Sequence, residues 1–189
     1  HFNCYPGART DTHCQIYQFT RDDLWKDWNW SELFPTWREM QRYFEYVDRK
    51  LELSKDISFN TRVRSAEFNQ EKNQWLVKAD GGVEITTSFL DINTGFGSKP
   101  YIPDFKDIDK FTGQCHHTAL WPQDGISLTG KRVAVIGTGA TGVQTIQEIA
   151  KTVGHLTVFQ RSPNYCAPLH NSPIDAETQA KIKASYPKI

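Results

Sequence analysis

The sequence predicts an α/β protein, and three observations carry that prediction. Residues 133–142 form an apolar, β-branched run that breaks into a Gly-x-Gly-x-x-Gly motif. Apolar residues recur at helical spacing from residue 36 to residue 51, and from residue 57 they alternate with polar residues, as in half-buried strands. A strand that enters a helix through a glycine-rich turn is typical of Rossmann-like nucleotide-binding units, which belong to this class.

The first part of the chain is expected to contain one long helix. Residues 1–35 are irregular and rich in aromatic residues, and their tryptophans are interpreted as packing residues. A helix then begins at Thr36, where Thr36 and Glu39 match a capping box. Its apolar face, predicted to lie in the core, consists of Met40, Tyr43, Phe44, Val47 and Leu51.

Strands are predicted from residue 57 onwards. Residues 57–63 alternate in polarity, and short strands follow around residues 65–68, 74–78 and 83–89. Residues 89–95 look like a further strand that enters a glycine turn. Residues 96–130 are punctuated by Pro and Gly and suit a connection between domains.

The glycine motif predicts a nucleotide site inside a β-α-β unit. An apolar strand precedes Gly137, a helix is predicted over residues 143–151, and a second strand over residues 155–160. Gly137 allows the tight turn, Gly139 lets the backbone approach a pyrophosphate, and Gly142 lets the helix pack closely on the strand. The pyrophosphate then binds to unpaired N–H groups at the start of the helix.

The end of the second strand indicates which nucleotide binds. NAD sites place Asp or Glu about 20 residues after the glycine motif, where it holds the ribose 2′-hydroxyl. Here that position, 161 − 142 = 19 residues on, is Arg161. Its planar guanidinium suits a phosphate, so the sequence favours NADP over NAD. The alternative is an ordinary solvated arginine after a strand.

Composition restricts the classes of function. The 189 residues carry no net charge, so neither a nucleic-acid partner nor a polybasic membrane surface is expected, and no apolar stretch has the length of a membrane span. The four cysteines lie far apart, which argues against metal binding and disulfides and predicts a reducing, cytoplasmic location. The chain starts at His1 and stops soon after one β-α-β unit, so we expect a piece of a longer protein.

A second motif, directly upstream of the glycine motif, carries a family resemblance. The segment from Phe111 through Gly113 and His117 to Trp121-Pro122 resembles the fingerprint of Baeyer–Villiger monooxygenases. Further segments are similar to that family in order and spacing, so the resemblance covers essentially the whole chain: Tyr5-Pro-Gly-Ala-Arg9-Thr-Asp11, Trp28-Asn-Trp30-Ser-Glu, Thr61-Arg-Val63, Thr94-Gly95 and Phe159-Gln-Arg-Ser-Pro-Asn164. His117 and Trp121 are expected to organise the linker, and His117 alone is interpreted as a structural histidine.

The resemblance implies two Rossmann-like dinucleotide-binding domains, both incomplete in this chain. Residues 1–95 correspond to the C-terminal part of the FAD domain with its β-meander, residues 96–130 to the interdomain linker, and residues 131–189 to the N-terminal part of the NADP domain. In such an enzyme NADPH reduces FAD, and the reduced flavin captures O2 as a C4a-peroxyflavin. One oxygen atom is then inserted next to the carbonyl of a ketone, which gives an ester or lactone.

The resemblance also assigns cofactor contacts, residue by residue, although it assigns no catalytic side chain and no metal ligand to this chain. The residues expected to contact FAD are Asp11, Thr12, Tyr17 and Val63. The residues expected to contact NADP are Arg9, Thr10, Asp11, Gly137, Thr138, Gly139, Ala140, Thr141, Gly142, Val143, Gln144, Arg161 and Ser162. Without the resemblance, Asp11 is interpreted as a turn-stabilising residue after Pro-Gly.

Departures from the family pattern leave alternatives open. The family's first glycine motif would precede His1 and its active-site arginine would follow Ile189, so the 189-residue chain alone is expected to be inactive. Asp91 and Asn93 stand where the family has aliphatic and small residues, and a buried Asp needs a partner. The alternatives are a related flavin monooxygenase that acts on nitrogen or sulfur, and a truncated, non-catalytic remnant.

Overall fold

The computed structural model of the chain describes residues 3–95, 97 and 99–186. The chain divides into two compact units, of which the first combines His1–Lys50 with Pro100–Ile189 and the second is Leu51–Lys99. This division reflects which residues pack together. The domain boundaries predicted above, after residues 95 and 130, are based on the cofactor motifs instead and stay a prediction.

The first unit begins with three helices: α1 is Cys14–Tyr17, α2 is Asp22–Trp25 and α3 is Trp37–Leu51. The long helix therefore lies where the sequence predicted it. On its apolar face Tyr43 and Val47 are buried, whereas Phe44 is half exposed. The ring of Tyr43 lies 4.9 Å from that of Trp30 and 5.3 Å from that of Trp28, which confirms that these tryptophans are packing residues.

Glu39 does not play the part expected of it in a capping box. Its carboxylate is buried and accepts hydrogen bonds from the backbone N–H and the hydroxyl of Ser31, at 2.8 and 2.7 Å. The expectation that Glu39 reaches back to the helix start is thus wrong. The segment before α3 lies against the helix and offers the carboxylate two donors, so a tertiary contact replaces a local one.

The second unit contains a three-stranded antiparallel sheet in the order β1-β2-β3, with β1 Val63–Asn69, β2 Gln74–Ala79 and β3 Val83–Thr87. The strands expected around residues 65–68, 74–78 and 83–89 are present. The strand expected over residues 57–63 is wrong, because β1 begins only at Val63.

Residues 89–95 are likewise not a strand. They pair with no strand in the described part of the chain, and an apolar alternating segment forms a strand only where a neighbour supplies the hydrogen bonds. Phe89 is accordingly 90% exposed. Asp91 and Asn93 are exposed as well, so the expected burial of Asp91 is wrong for this structure.

The β-α-β unit around the glycine motif is confirmed. It consists of β4 Arg132–Ile136, α4 Ala140–Ile149 and β5 His155–Phe159, and the two strands pair in parallel from Arg132 opposite His155 to Ile136 opposite Phe159. A last helix, α5 Ala176–Ser185, follows. None of the helices in the described part of the chain combines the length and apolar character that a membrane crossing requires.

We predict that Glu39→Ala destabilises the protein. The change leaves the Ser31 N–H without its partner, and such a loss costs about 1–3 kcal/mol. Urea denaturation measures the effect. The matched control is Glu45→Ala on the exposed side of the same helix, which should stay within about 0.5 kcal/mol of the parent. Equal effects of the two changes would show that the Ser31 contact does not stabilise the fold.

Candidate functional site

The turn between β4 and α4 opens onto a cleft of about 620 Å³ in the first unit. Three segments form its walls: residues 7–11, residues 138–151, which include α4 and the turn before it, and residues 164–171. Eight of the residues predicted to contact NADP line this cleft: Arg9, Thr10, Asp11, Thr138, Gly139, Ala140, Val143 and Gln144. Five lie outside its lining: Gly137, Thr141, Gly142, Arg161 and Ser162.

The three glycines of the motif differ in what surrounds them. Gly137 has φ 105°, a left-handed value that favours glycine, and its N–H donates to the Phe159 carbonyl at 2.8 Å, which ties the turn to β5. A Cβ at Gly142 would overlap the carbonyl oxygen of Gly137, so the close helix packing expected there is present. A Cβ at Gly139 would meet nothing within 4 Å. The space in front of Gly139 is therefore open.

The start of α4 offers hydrogen-bond donors to that open space. Gly139 is the N-cap of α4 and has no side chain that could pair with the first N–H groups of the helix. The first turn of any α-helix leaves such donors without an intrahelical partner, and its partial positive charge favours anions. The turn and the helix start thus fit a pyrophosphate.

The segment containing Arg9 forms a second wall and is held by α3 and the residues before it. The Thr10 N–H donates to the Pro35 carbonyl at 3.0 Å, and the Trp37 N–H to the Ala8 carbonyl at 2.9 Å. The Arg9 guanidinium lies 3.4 Å from the Glu32 carboxylate. A half-buried cation is therefore fixed at the edge of the cleft.

The residues predicted to contact FAD divide between the two units. Asp11, Thr12 and Tyr17 come together in the first unit, where the Asp11 carboxylate lies 3.4 Å from both the Thr12 and the Tyr17 hydroxyls. These contacts are to side chains, whereas a turn-stabilising role would use backbone N–H groups. Val63 is the first residue of β1 in the second unit and is half exposed.

The third wall contains two asparagines that the sequence analysis did not identify as site residues. The Asn164 amide donates to the Thr138 carbonyl at 2.7 Å and so fixes the glycine turn. The Asn171 amide donates to the Glu32 carboxylate, and its oxygen accepts from the Phe34 N–H at 3.0 Å. Asn164 belongs to a quoted family motif, which could have marked it. Asn171 has no local signal, because its partners lie 137 or more positions away.

Arg161 and Ser162 follow β5 and are exposed. The Arg161 guanidinium makes no hydrogen bond or ion pair with any residue that the structure describes, so all its donors are available to a ligand. Its expected contact with a 2′-phosphate stays a prediction.

The fingerprint segment is attached to the beginning of the chain. His117 accepts a hydrogen bond from the Ala119 N–H at 3.1 Å and thereby caps the 3-10 turn Thr118–Leu120. The Trp121 carbonyl accepts a hydrogen bond from the buried Cys4 thiol, and the Gln123 amide donates to the same sulfur, both at 3.3 Å. These contacts suit the organising role expected of His117 and Trp121. No cluster of three or more metal-ligating side chains occurs among the described residues.

Comparison with known proteins identifies the family of the chain. The model of the L-lysine 6-monooxygenase/L-ornithine 5-monooxygenase family matches residues 16–185. The chain belongs to this monooxygenase family. It is 51% identical to the cyclopentanone 1,2-monooxygenase of Comamonas sp. (strain NCIMB 9872) over 99% of the chain and 34% of that protein. These monooxygenase relatives confirm the resemblance to Baeyer–Villiger enzymes.

Solved monooxygenase structures have the same fold. An oxidised steroid monooxygenase bound to NADP matches with a TM-score of 0.94 and 44% identity, over 99% of this chain and 36% of that one. The complex of OTEMO with FAD and NADP matches with a TM-score of 0.92 and 40% identity, over 99% of this chain and 36% of that one. The chain thus spans about a third of the length of the monooxygenases it matches.

The second and third glycines of the monooxygenase motif are expected to respond differently to substitution. The methyl group of Gly139→Ala would enter open space, so the free energy of unfolding should fall by less than about 1 kcal/mol. NADP+ binding should weaken about tenfold or more, because the same methyl group occupies the space that the pyrophosphate needs. Gly142→Ala pushes the helix off the Gly137 carbonyl and should cost about 1–3 kcal/mol of stability. Thermal unfolding and NADP+ titration of the full-length protein measure both effects. Normal NADP+ binding by Gly139→Ala would contradict the assignment.

Proposed function

We propose that this chain is part of an FAD- and NADPH-dependent Baeyer–Villiger monooxygenase. The reaction consumes a ketone, O2, NADPH and a proton and yields an ester or lactone, water and NADP+. The observation that carries the proposal is the open space at Gly139 beside the unpaired N–H groups of α4, inside a cleft of which a second wall holds Arg9 and Asp11. It is supported by relatives named as ketone monooxygenases and by neighbours that bind both cofactors.

In this proposal the chain's residues bind and orient the nucleotide. The N–H groups of Ala140, Thr141 and Gly142 hold the pyrophosphate, and Arg161 with Ser162 holds the 2′-phosphate. Asn164 keeps the Thr138 carbonyl, and with it the turn, in one position. FAD, when bound, supplies the oxygen-activating chemistry, which is the cofactor's own.

Asp11 is the residue we assign to the boundary between the two cofactors. Its carboxylate lies beside the Thr12 and Tyr17 hydroxyls and also lines the cleft in which the nucleotide would bind. A carboxylate in that place can accept a hydrogen bond from the nicotinamide amide while its neighbours contact FAD. Residues 1–95 then belong to the FAD-binding domain, residues 131–189 belong to the NADP-binding domain, and residues 96–130 connect the two domains.

Ketone oxidation is favoured over oxygenation of nitrogen or sulfur by the 51% identity to a cyclopentanone monooxygenase. Asp91 and Asn93 do not support a non-catalytic remnant. Both side chains are exposed, so neither destabilises the fold by burying a polar group. We place the protein in the cytoplasm, because its four cysteines lie far apart in the sequence, a pattern that suits a reducing compartment.

The full-length protein, purified with FAD, should convert cyclopentanone to its lactone in the presence of NADPH. Incubation under O2 labelled with a heavy oxygen isotope, followed by mass spectrometry, should show one labelled oxygen atom per lactone. The same protein should leave a tertiary amine unchanged. Production of hydrogen peroxide without lactone from any ketone, or an N-oxide from the amine, would contradict the proposal.

Arg161 should determine the preference for NADPH over NADH. A charge-assisted phosphate contact contributes about 1.5–3 kcal/mol, so Arg161→Ala should raise the KM for NADPH about tenfold to a hundredfold and leave the KM for NADH nearly unchanged. Arg132→Ala removes the same charge at the opposite end of the β4–β5 sheet and is the control. Steady-state kinetics with both nucleotides measure the effect, and equal changes for the two would refute the assignment.

A further inference from the structure

We propose that Gln144 is a positioning residue that fixes Arg9, Thr10 and Asp11 at a set distance from the glycine turn, instead of binding the nucleotide with its side chain. The inference deepens the proposed function and rests on it, since it takes the cleft to be the NADP site. It differs from the expectation, stated above, that Gln144 contacts NADP.

The Gln144 amide is occupied by protein groups. Its oxygen accepts from the Tyr5 hydroxyl at 2.9 Å and from the Arg9 N–H at 3.4 Å, and its nitrogen donates to the Arg9 carbonyl at 3.1 Å. The orientation of the amide is fixed by its partners, because a backbone N–H can only donate and a carbonyl can only accept. Three of the four hydrogen bonds that a glutamine amide can make are therefore used within the chain.

These contacts bind both backbone polar groups of Arg9 to one side chain. Residue 144 lies on α4, in the same helix whose start faces the pyrophosphate space, and Arg9 lies 135 positions earlier in the chain. The amide thus pairs with the N–H and C=O of Arg9 as the backbone of a neighbouring strand would. Any shift of Gln144 would move the Arg9 segment relative to the glycine turn.

A second, steric contact acts between the same two segments. A Cβ at Gly7 would overlap the backbone carbonyl oxygen of Gln144, and the φ of Gly7 is +78°. The turn from Tyr5 to Ala8, closed by a hydrogen bond of 3.1 Å, thus lies directly on α4. In the Tyr-Pro-Gly-Ala-Arg motif, Tyr5, Gly7 and Arg9 all contact Gln144, which gives that motif a physical role that the cofactor assignments did not explain.

Other groups hold the guanidinium of Arg9 but not its backbone. The Glu32 carboxylate and the Phe34 carbonyl each lie 3.4 Å from the Arg9 side chain. Loss of the Gln144 contacts would leave this segment attached to Pro35 and Trp37 through Thr10 and Ala8, but its distance from α4 would no longer be fixed. The nicotinamide end of the nucleotide would lose its alignment, and the 2′-phosphate contact at Arg161 would not.

The test uses the full-length protein with bound FAD and the variants Gln144→Glu, Tyr5→Phe and Gly7→Ala. Gln144→Glu keeps the acceptor for Tyr5 and the Arg9 N–H but cannot donate to the Arg9 carbonyl. Stopped-flow measurement of flavin reduction under anaerobic conditions should show a rate at least tenfold lower for Gln144→Glu and severalfold lower for Tyr5→Phe and Gly7→Ala. The ratio of NADPH to NADH efficiency should stay as in the parent, unlike that of Arg161→Ala.

The matched control is Gln147→Glu. It introduces the same charge one turn further along α4 in the lining of the same cleft, and Gln147 makes no hydrogen bond to the described residues. Any decrease in the reduction rate that it causes measures the effect of the added charge alone, and Gln144→Glu should lower the rate severalfold further. An effect equal to that of Gln144→Glu would show that charge, not position, matters and would overturn the proposal. So would a normal reduction rate in Tyr5→Phe, which indicates a direct ligand role for Gln144.

Hydrogen–deuterium exchange of the peptide covering residues 5–12, recorded without nucleotide, tests the anchor itself. Exchange should accelerate in Gln144→Glu and Tyr5→Phe and stay unchanged in Gln147→Glu. This measurement does not depend on the reaction, so a protein that forms no lactone but shows this pattern would refute the proposed function and retain the positioning role. Unchanged exchange in all variants would overturn the positioning role. If Gln144→Glu does not fold, the test is made with Tyr5→Phe, which removes only one oxygen atom.

Discussion

The fold of the first unit depends on the hydrogen bonds that pair the backbone N–H and C=O groups of residues 30–35. Residues 30–35 carry buried side chains at Trp30, Phe34 and Pro35, and buried N–H and C=O groups must be paired. Their partners come from three distant parts of the chain. Carbonyl groups of this segment accept hydrogen bonds from the backbone N–H groups of Thr10, Cys14 and Ile174. Its backbone N–H groups donate to the Ser172 carbonyl and to the side chains of Asn171, Gln179 and Glu39.

The shape of the cleft follows from that pairing. Residues 8–10 bind to one edge of the segment and carry Arg9 and Thr10 into the first wall, while residues 171–174 bind to it and end the third wall. The glycine turn supplies the remaining wall through local geometry at Gly137 and Gly142. A nucleotide site is therefore assembled from one local element and two segments that are brought together only by tertiary hydrogen bonds.

The sequence predicted what local physics determines. The β-α-β unit and α3 lie as expected, because their periodicity, glycine spacing and length are encoded within a few turns. The strands expected at residues 57–63 and 89–95 failed, since a strand needs a neighbour and the pattern alone does not supply one. Glu39 was misread and Asn171 was missed for a related reason: each binds a segment that no local rule places beside it.

The pairing of residues 31–34 with residues 171–174 also sets an order of events during protein synthesis. The ribosome releases earlier residues first, so Phe34 must wait for Asn171, which is synthesised 137 positions later. The meander of β1, β2 and β3 has only short-range pairings and can form in the meantime. The nascent chain thus exposes the tryptophan-containing segment of residues 30–35 until its partners emerge, and chaperones that bind aromatic stretches can bind there in that interval.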